Sequence, residues 1–294
     1  MSTDLTPSLL APGADLERLA DGTVWSEGPV WLPETRRLRW SDIPNDRILE
    51  WDAVTGEVST FRQPAEFTNG RTLDLEGRVV QCSHGRRAIE REAAGGPEVL
   101  VDRWSGGRFN SPNDLAVASD GAIWFTDPPY GIDPSGREGH PGTSEYDACF
   151  VFRWDPRTGE AEPVVTTMVH PNGIAFSPDG SRLYVSDTGF YADQPEAQQI
   201  HVFEVDGPTV VGAGREFARP PVGASDGFAV DREGRLWTSA GDGIYVYAPD
   251  GGLLEHIAVP ETVSNCTFGG DDGHDLFLTA TTGLYRIRTT TTAA

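Results

Sequence analysis

One motif recurs six times along this 294-residue chain: a Glu, Asp or Asn side chain that opens a short strand-like segment. The six copies begin at Glu27, Asn69, Asn113, Asn172, Asp226 and Asn265. They lie roughly 40–45 residues apart, with two longer intervals between positions 113 and 226, and this period is typical of β-propeller blades. Because one blade cannot bury both of its faces, the repeat predicts one closed ring and not two small domains.

The segments between the motifs predict the fold class. The first repeat contains four strand-like runs between positions 28 and 61, with a Thr55-Gly56 turn before the last of them. We therefore expect an all-β, six-bladed β-propeller with four antiparallel strands per blade, a single domain over residues 1–294. The strand-like segment 16–20 is expected to add an outer strand to the last blade and so close the ring. Residues 1–14 and 289–294 are expected to be tails, the second of them disordered.

Composition limits the location and the partners of the protein. The chain contains 34 Gly and 22 Pro and no apolar run long enough to cross a bilayer, so we expect no membrane contact. Its first residues lack the basic and apolar regions of a secretory signal, which predicts a cytoplasmic protein. The formal charge of −22 argues against nucleic acid as a partner. We expect a monomer or a small homo-oligomer.

The three cysteines do not form a recognisable framework. Cys82, Cys149 and Cys266 are odd in number, widely separated and not in a metal-finger spacing. We expect them to be small buried side chains without a disulfide.

The six polar positions predict a metal site. The first strand of each propeller blade lines the central channel, so these side chains are expected to converge near the axis. Two carboxylates in a partly dry channel repel each other, and a bound cation removes that cost. The direct ligands are expected to be Glu27, Asn172 and Asp226, with Asn113 as a fourth ligand or as a group that holds substrate. An all-oxygen set favours one hard divalent ion, calcium first, with magnesium, manganese or zinc as alternatives.

Other polar side chains are candidates for contact with a substrate. Asn69 and Asn265 occupy equivalent positions in their repeats, where a hydrogen bond to substrate and a structural role are both open. Arg108, shortly before Asn113, could hold substrate oxygens from the same rim. His84 and His170 flank strands but show no partner in the sequence, so a structural role is favoured for both.

Two long insertions predict a lid. Strands alternate in direction within a blade, so a loop between the second and third strands returns to the face where the innermost strands begin. The insertions at 127–147 and 187–198 take that place in the third and fourth repeats. Long surface loops are more often variable decoration than determinants of specificity, so both roles are open for these two candidate lids. The candidate entrance residues are Tyr130, His140, Tyr146, Phe190 and Tyr191.

Several of these segments resemble a known family. The sequences Trp-Ser-Glu-Gly-Pro-Val-Trp at 25–31, Arg-Phe-Asn-Ser-Pro-Asn-Asp at 108–114 and Pro-Asn-Gly-Ile-Ala-Phe-Ser-Pro-Asp at 171–179 are similar to the gluconolactonase, regucalcin (senescence marker protein) and luciferin-regenerating enzyme group. With Asn69-Gly70, Asp226-Gly227 and the segment at 265–270, the matches extend over nearly the whole chain. They look most like the bacterial gluconolactonase branch.

The resemblance implies roles for individual residues. In that family the equivalents of Glu27, Asn172 and Asp226 hold one divalent ion, and the equivalent of Asn113 contacts the ion or the substrate. The resemblance also implies Asp226 as the general base. The substrate-binding Arg of the animal members lies two residues before its Asn, where this chain has Ser111, and Arg108 is displaced.

The leading functional hypothesis is hydrolysis of a sugar or aldonic-acid lactone by a metal-dependent hydrolase. The ion would polarise the ring carbonyl, and either Asp226 or a metal-bound hydroxide would be the working base. One alternative is a phosphotriesterase-type or esterase-type hydrolase with the same ligands, for which a wide apolar mouth is expected. Another is a calcium-binding propeller without catalysis.

Overall fold

The protein is a ring of six four-stranded antiparallel sheets, seen in a computed structural model that describes residues 8–189 and 197–294. Short β-strands joined by tight turns make up almost all of the regular structure. 3₁₀ helices occur in loops, at Ile43–Asn45 and Tyr130–Ile132. The sequence-based prediction of a six-bladed β-propeller is confirmed.

Strands are numbered along the chain from β1 (Glu17–Asp21). Blade 1 contains β2 (Ser26–Leu32), β3 (Arg37–Asp42), β4 (Arg47–Asp52) and β5 (Val58–Arg62). Blade 2 contains β6 (Thr68–Leu73), β7 (Val79–Ser83), β8 (Ala88–Arg91) and β9 (Glu98–Val101). A small hairpin outside the blades follows, with β10 (Arg103–Trp104) and β11 (Gly107–Arg108).

The remaining blades follow the same plan. Blade 3 contains β12 (Leu115–Val117), β13 (Ile123–Asp127), β14 (Phe150–Asp155) and β15 (Glu160–Val165). Blade 4 contains β16 (Pro171–Phe176), β17 (Arg182–Asp187), β18 (Gln199–Asp206) and β19 (Thr209–Ala218). Blade 5 contains β20 (Phe228–Val230), β21 (Leu236–Ala240), β22 (Gly243–Tyr247) and β23 (Leu253–Ala258). Blade 6 contains β24 (Val263–Gly269), β25 (Asp275–Ala280) and β26 (Gly283–Arg288), and β1 is its fourth strand.

Strand β1 closes the ring. It pairs antiparallel with β26, with Glu17 opposite Arg286 and Asp21 opposite Gly283. The last blade is thus built from both ends of the chain, and this pairing holds the first and last repeats together. The predicted closing strand at residues 16–20 is confirmed within one residue.

The described parts of the terminal segments, 8–14 and 289–294, pack against the ring, which corrects the prediction of tails at 1–14 and 289–294 for those residues. Leu9 is buried, and its amide donates to Glu255 Oε2 at 2.8 Å. Leu10 forms a bridge with Thr289, and near the C-terminus the buried Thr291 donates to Glu233 Oε2 at 2.6 Å. Residues 1–7 lie outside the described part of the chain. The segment 289–294, rich in Thr and Ala, was expected to be disordered because of its composition, but backbone hydrogen bonds hold it against the ring.

Aromatic side chains pack between neighbouring blades. Trp31 of blade 1 stacks on Phe277 of blade 6, with ring centroids 5.6 Å apart. Trp124 of blade 3 meets the edge of Phe176 of blade 4 at 5.4 Å. Such contacts bury both faces of each sheet and fix the blades around the axis.

The three cysteines are free thiols. Cys82 and Cys266 are buried as expected, whereas Cys149 is only half-buried. In the described part of the chain, no helix is long and apolar enough to cross a membrane.

Candidate active site

The polar residues that open the six repeats meet at one end of the ring. Five of them line a cavity of about 410 Å³: Glu27, Asn69, Asn113, Asn172 and Asp226. The sixth, Asn265, is buried beside them and donates from Nδ2 to Glu27 Oε2 at 3.1 Å. The convergence that the repeat predicts is therefore present in the structure.

Glycines allow these strand ends to approach one another. The amide of Gly173 donates to the carbonyl of Asp226 at 3.1 Å, and a Cβ atom at Gly173 would lie 2.2 Å from that oxygen. A Cβ at Gly28 would lie 2.2 Å from the carbonyl oxygen of Asn69. No other residue fits so close to a neighbouring backbone. The Glu-Gly, Asn-Gly and Asp-Gly pairs thus combine a side chain for the cavity with a residue that lets the next blade pack against it.

Buried aspartates hold the backbone just before three of the cavity residues. The second strands of blades 1, 3 and 4 end in Asp42, Asp127 and Asp187, which are buried. Each carboxylate accepts from two backbone amides that lie three and two residues before Glu27, Asn113 or Asn172. In blade 4 these bonds run to Asp187 from Val169 at 2.7 Å and from His170 at 2.9 Å. Blades 1 and 3 repeat the arrangement.

The residue before each of these aspartates links to the next blade. Ser41 donates to the carbonyl of Asn69 at 3.2 Å, Thr126 to Asn172 at 2.7 Å and Ser186 to Asp226 at 2.6 Å. Each Ser-Asp or Thr-Asp pair therefore holds its own strand start through the carboxylate and the next one through the hydroxyl. This role was not predicted, although the recurrence of Ser/Thr-Asp at the ends of second strands is a pattern that could have indicated it.

Glu27 has an incomplete set of partners. Its side chain is buried, and Oε2 accepts from the Gly28 amide at 2.7 Å and from Asn265. Oε1 is buried without a hydrogen-bond partner in the described part of the chain. Burial, and then the nearby carboxylates of Asp226 and Asp114, raise the pKa of Glu27 well above its ordinary value. A buried carboxylate with a free oxygen is the arrangement expected of a cation ligand.

Asp226 lies close to Glu27 in the same cavity. Burial raises the pKa of its carboxyl to about 8, the charges of Glu138 and Asp114 add to the effect, and the neighbouring Asn172 and Glu27 side chains offset part of it. Two adjacent carboxylates repel each other unless one of them holds a proton. A cation in place of that proton would satisfy Glu27, Asp226 and the Asn172 carboxamide together.

Two further carboxylates belong to the site and were not predicted. Asp114 receives a hydrogen bond from Asn265 Nδ2 at 3.5 Å, and burial raises its pKa to about 7. It stands where four other repeats have Gly, so the pair Asn113-Asp114 was a detectable exception. Glu138, from the loop between β13 and β14, lines the cavity, and burial raises its pKa. Nothing local in the sequence indicates that the loop returns Glu138 to the axis.

Carboxamides are essential to any metal site here. In residues 8–189 and 197–294, no three His, Cys, Asp or Glu side chains form a group that could hold a metal ion. The available donors are Glu27 and Asp226 together with the carboxamides of Asn172 and Asn113. This all-oxygen set fits the hard divalent ion that the sequence predicts.

A family model described as "SMP-30/Gluconolactonase/LRE-like region" matches residues 25–282, which include the start of each of the six repeats. The chain belongs to this family.

Known proteins of similar sequence or structure align with most of this chain. A gluconolactonase of Zymomonas mobilis is 33% identical, covering 97% of this chain and 84% of the relative. An L-arabinolactonase of Azospirillum brasilense is 36% identical, covering 93% of this chain and 87% of the relative. The solved structure of a gluconolactonase from Xanthomonas campestris is 42% identical, with a TM-score of 0.87, covering 96% of this chain and 91% of that one.

The loop between β13 and β14 contributes to the cavity wall in this SMP-30/gluconolactonase/LRE-like protein. Its residues Pro129, Tyr130, Asp133, Ser135, Arg137 and Glu138 line the cavity. Of the predicted entrance residues that the structure describes, only Tyr130 is among them, and its hydroxyl contacts Thr188. Phe190 and Tyr191 lie outside the described residues.

Two of the predicted entrance residues lie elsewhere. His140 is exposed and meets the edge of Phe67, with ring centroids 5.2 Å apart. Tyr146 stacks on Phe150 and donates its hydroxyl to Asp127, so it anchors the base of the loop. The sequence places these residues in the loop but does not determine which way the loop folds.

Arg108 also differs from its predicted role. It is in the β10–β11 hairpin, away from the cavity lining, and its guanidinium donates to the carbonyl of Arg86 at 2.9 Å. Its amide donates to Glu145 Oε2 at 2.9 Å. Arg137 of the loop lies in the cavity wall. Proximity to Asn113 in the sequence does not bring Arg108 to the rim, because its guanidinium is bonded to the carbonyl of Arg86.

His170 and His84 have different surroundings. His170 lines the cavity and meets the edge of Tyr130, with ring centroids 5.5 Å apart. Burial lowers its pKa. His84 is fully buried behind Asn69 and has a hydrogen-bond partner on each ring nitrogen, which the sequence did not indicate.

Proposed function

We propose that this protein is a lactonase that hydrolyses a sugar or aldonic-acid lactone and depends on one divalent metal ion. The relatives named gluconolactonase and L-arabinolactonase support the reaction. The observation that carries the proposed metal dependence is the buried Glu27 carboxylate, whose Oε1 lacks a partner in the described residues and whose pKa is raised by burial and then by the charge of Asp226. A cation between these groups explains why two acids occupy one pocket.

The proposed ligands are Glu27, Asn172 and Asp226, with Asn113 as a fourth ligand or a substrate contact. Calcium is the first expectation because all four offer oxygen, with magnesium, manganese and zinc as alternatives. When bound, the ion would polarise the lactone carbonyl and stabilise negative charge on its oxygen.

Residues of the chain would supply the remaining functions. Asp226, at the cavity wall, would accept a proton from the attacking water. Asn113 and Asn69 also line the cavity and would bind ring hydroxyls. Asn265 would act indirectly, since its amide orients Glu27.

The cavity mouth favours a sugar lactone over the organophosphate and ester substrates of the alternative hydrolase. A neutral triester is expected to require a wide apolar mouth. Here the loop contributes Asp133, Ser135, Arg137 and Glu138, all polar, to the wall. These groups suit a hydroxylated substrate, which must exchange its hydrogen bonds to water for hydrogen bonds to the protein. A cytoplasmic location, a monomer or small homo-oligomer, and the absence of nucleic-acid and membrane partners remain predictions.

A proton-release screen tests the proposal. The protein would be stripped of metal and assayed on glucono-, galactono- and arabinonolactones and on a neutral phosphotriester, before and after addition of calcium, magnesium, manganese or zinc. We expect lactone hydrolysis that requires the added metal. Hydrolysis of the phosphotriester alone would favour the alternative hydrolase. Metal binding without turnover of either class would favour a calcium-binding propeller.

Substitution of Asp226 tests its role as base. We expect Asp226→Asn to lower kcat by roughly 10²–10⁴-fold, because a carboxamide cannot accept the proton. Calorimetric titration with the metal would show whether the loss comes from the base or from weaker metal binding. Unchanged kcat in a metal-loaded variant would exclude Asp226 as the base.

A further inference from the structure

His84 connects the loop between β13 and β14, residues 128–149 and here called the lid loop, to the cavity. It follows β7 and is fully buried, with Nδ1 2.9 Å from the carbonyl oxygen of Glu138 and Nε2 3.3 Å from Asn69 Nδ2. Glu138 belongs to the lid loop, which contributes to the cavity wall, and Asn69 lines the cavity from blade 2. The buried His84 ring thus contacts both the loop and the blade 2 residue that line the cavity.

These contacts determine which nitrogen holds the proton. A carbonyl oxygen only accepts hydrogen bonds, so Nδ1 must carry the hydrogen. Burial lowers the pKa of His84 to about 4, and the ring is neutral at physiological pH. Nε2 is therefore an acceptor, and only the NH₂ group of Asn69 can donate to it.

The orientation of Asn69 follows from the tautomer. With Nδ2 held by His84, Oδ1 of Asn69 points away from the ring. Within the described residues, Oδ1 makes no hydrogen bond, while Asn69 itself lines the cavity. A free amide could turn by 180° and present a donor or an acceptor, but the histidine selects the acceptor.

We propose that His84 is a positioning residue that fixes the Asn69 carbonyl oxygen as the acceptor for a hydroxyl of a polyhydroxylated lactone and docks the lid loop over it. The inference rests on the proposed lactonase function and deepens it. It predicts that the enzyme distinguishes lactones that carry a hydroxyl near Asn69 from unsubstituted ring lactones.

Close packing of the loop on His84 supports the docking role. A Cβ atom at Gly131 would lie 2.5 Å from His84 Cβ, so only glycine allows the loop to rest on the ring. A Cβ at Gly139 would lie 2.1 Å from the carbonyl oxygen of Gly131. The loop is thus folded tightly on itself at the point where Glu138 reaches Nδ1.

The tautomer can be measured without any substrate. A long-range ¹H–¹⁵N correlation spectrum of the metal-loaded protein, with His84 assigned by substitution, distinguishes a protonated Nδ1 from a protonated Nε2. We expect Nδ1 to be protonated and Nε2 bare from pH 6 to pH 8. A protonated Nε2 would overturn the proposal whether or not the protein is a lactonase.

Two substitutions separate the two contacts. In His84→Asn the amide nitrogen takes the place of Nδ1 and keeps the bond to Glu138, but nothing reaches Asn69. In His84→Gln the amide group takes the place of Nε2, so its oxygen can still accept from Asn69, while the bond to Glu138 is lost. The two variants are matched controls for each other, and thermal melting checks that both fold.

The expected kinetic result is a change in KM for one class of substrate. His84→Asn should raise KM for gluconolactone roughly 10-fold and leave KM for δ-valerolactone and kcat for both within about 2-fold. His84→Gln should retain the preference for gluconolactone and increase amide hydrogen exchange at residues 138–139. Equal losses on both lactones in His84→Asn would show a merely structural role and contradict the proposal.

A double substitution tests whether His84 acts through Asn69. Asn69→Ala should raise KM for gluconolactone as His84→Asn does, and the double variant should show no further rise. Additive effects would contradict the proposal. If wild-type protein hydrolyses neither lactone, the proposed function fails together with the acceptor role, while the ¹H–¹⁵N spectrum and hydrogen exchange still decide the orientation of the ring and the docking of the loop.

Discussion

Side chains at the axis are held in states that they would not adopt in water. Glu27, Asp114 and Asp226 all have raised pKa values because they are buried together. His84 has a lowered pKa for the same reason, since burial penalises whichever form carries the charge. The site therefore requires neutralisation of its acids by a proton or a cation, and burial keeps the His84 ring behind it uncharged.

The buried His84 should make the protein less stable in mild acid. Its pKa is about 4 when folded and 6.5 ordinarily, so between these values the unfolded chain binds more protons. Stability is then retained above pH 6.5 and lost as pH falls toward 4, by up to about 3 kcal/mol. Urea unfolding of wild type and His84→Gln from pH 7 to pH 5 measures this. An identical pH dependence in both proteins would show that His84 does not contribute.

Gly173 should not tolerate a side chain. We expect Gly173→Ala to lower the free energy of unfolding by about 1–3 kcal/mol, because its Cβ would lie 2.2 Å from the Asp226 carbonyl oxygen. Gly95 is a matched control, since a Cβ there meets nothing within 4 Å. Chemical denaturation of both variants measures the difference. Equal stability of the two variants would contradict the close approach of blades 4 and 5.

At the scale of elements, the second strand of a blade positions the first. The Ser-Asp and Thr-Asp pairs at the ends of β3, β13 and β17 each hold two strand starts, one in their own blade and one in the next. These links run around the axis through blades 1, 3 and 4. Site geometry is thereby set by rigid strands, and the loop above contributes specificity.

Asp187→Asn tests this positioning. A carboxamide can accept through only one atom, so one of the amides of Val169 and His170 loses its partner. We expect a loss of about 1–3 kcal/mol in stability and weaker metal binding through Asn172. Asp179→Asn, in an exposed turn of the same blade, is the control and should leave metal binding unchanged. Calorimetry that shows equal metal affinity in both variants would contradict the positioning role.

On the scale of the whole molecule, the ring is closed at two levels. Strand β1 joins the last blade at the periphery, and the proposed ion would join blades 1, 4 and 5 at the axis. The net charge of −22 adds general repulsion, which a cation at the axis would reduce. Stability of the ring should therefore depend on metal and on pH together.

Metal-free protein should lose stability as pH rises. The folded pKa of Asp226 is about 8 against an ordinary 3.8, so the folded state binds more protons in this window, and Glu27 shifts in the same direction. Calcium should accordingly raise Tm more at pH 8 than at pH 6. Thermal melting with chelator or with calcium at both pH values measures this. A calcium effect that is larger at pH 6 would contradict the arrangement.

Much of the fold was predictable because its signals are local. Strand alternation, Asp-Gly and Thr-Gly turns and a repeat of about 40 residues are all encoded in neighbouring residues. The position of a residue at the start of a repeat also predicts its place at the axis, and for this reason Glu27, Asn172 and Asp226 could be named as one group.

The sequence alone thus determined the ring, its closure by a strand near the N-terminus and the set of polar residues that face the channel. Only the tertiary structure decided that Glu138 returns to the cavity, that Arg108 and Tyr146 do not line it, and that His84 bridges Asn69 and the loop. The physical reason is the range of the interactions. A strand is set by its own residues, whereas these contacts join segments from 15 to about 90 residues apart, and their geometry exists only once the blades have packed.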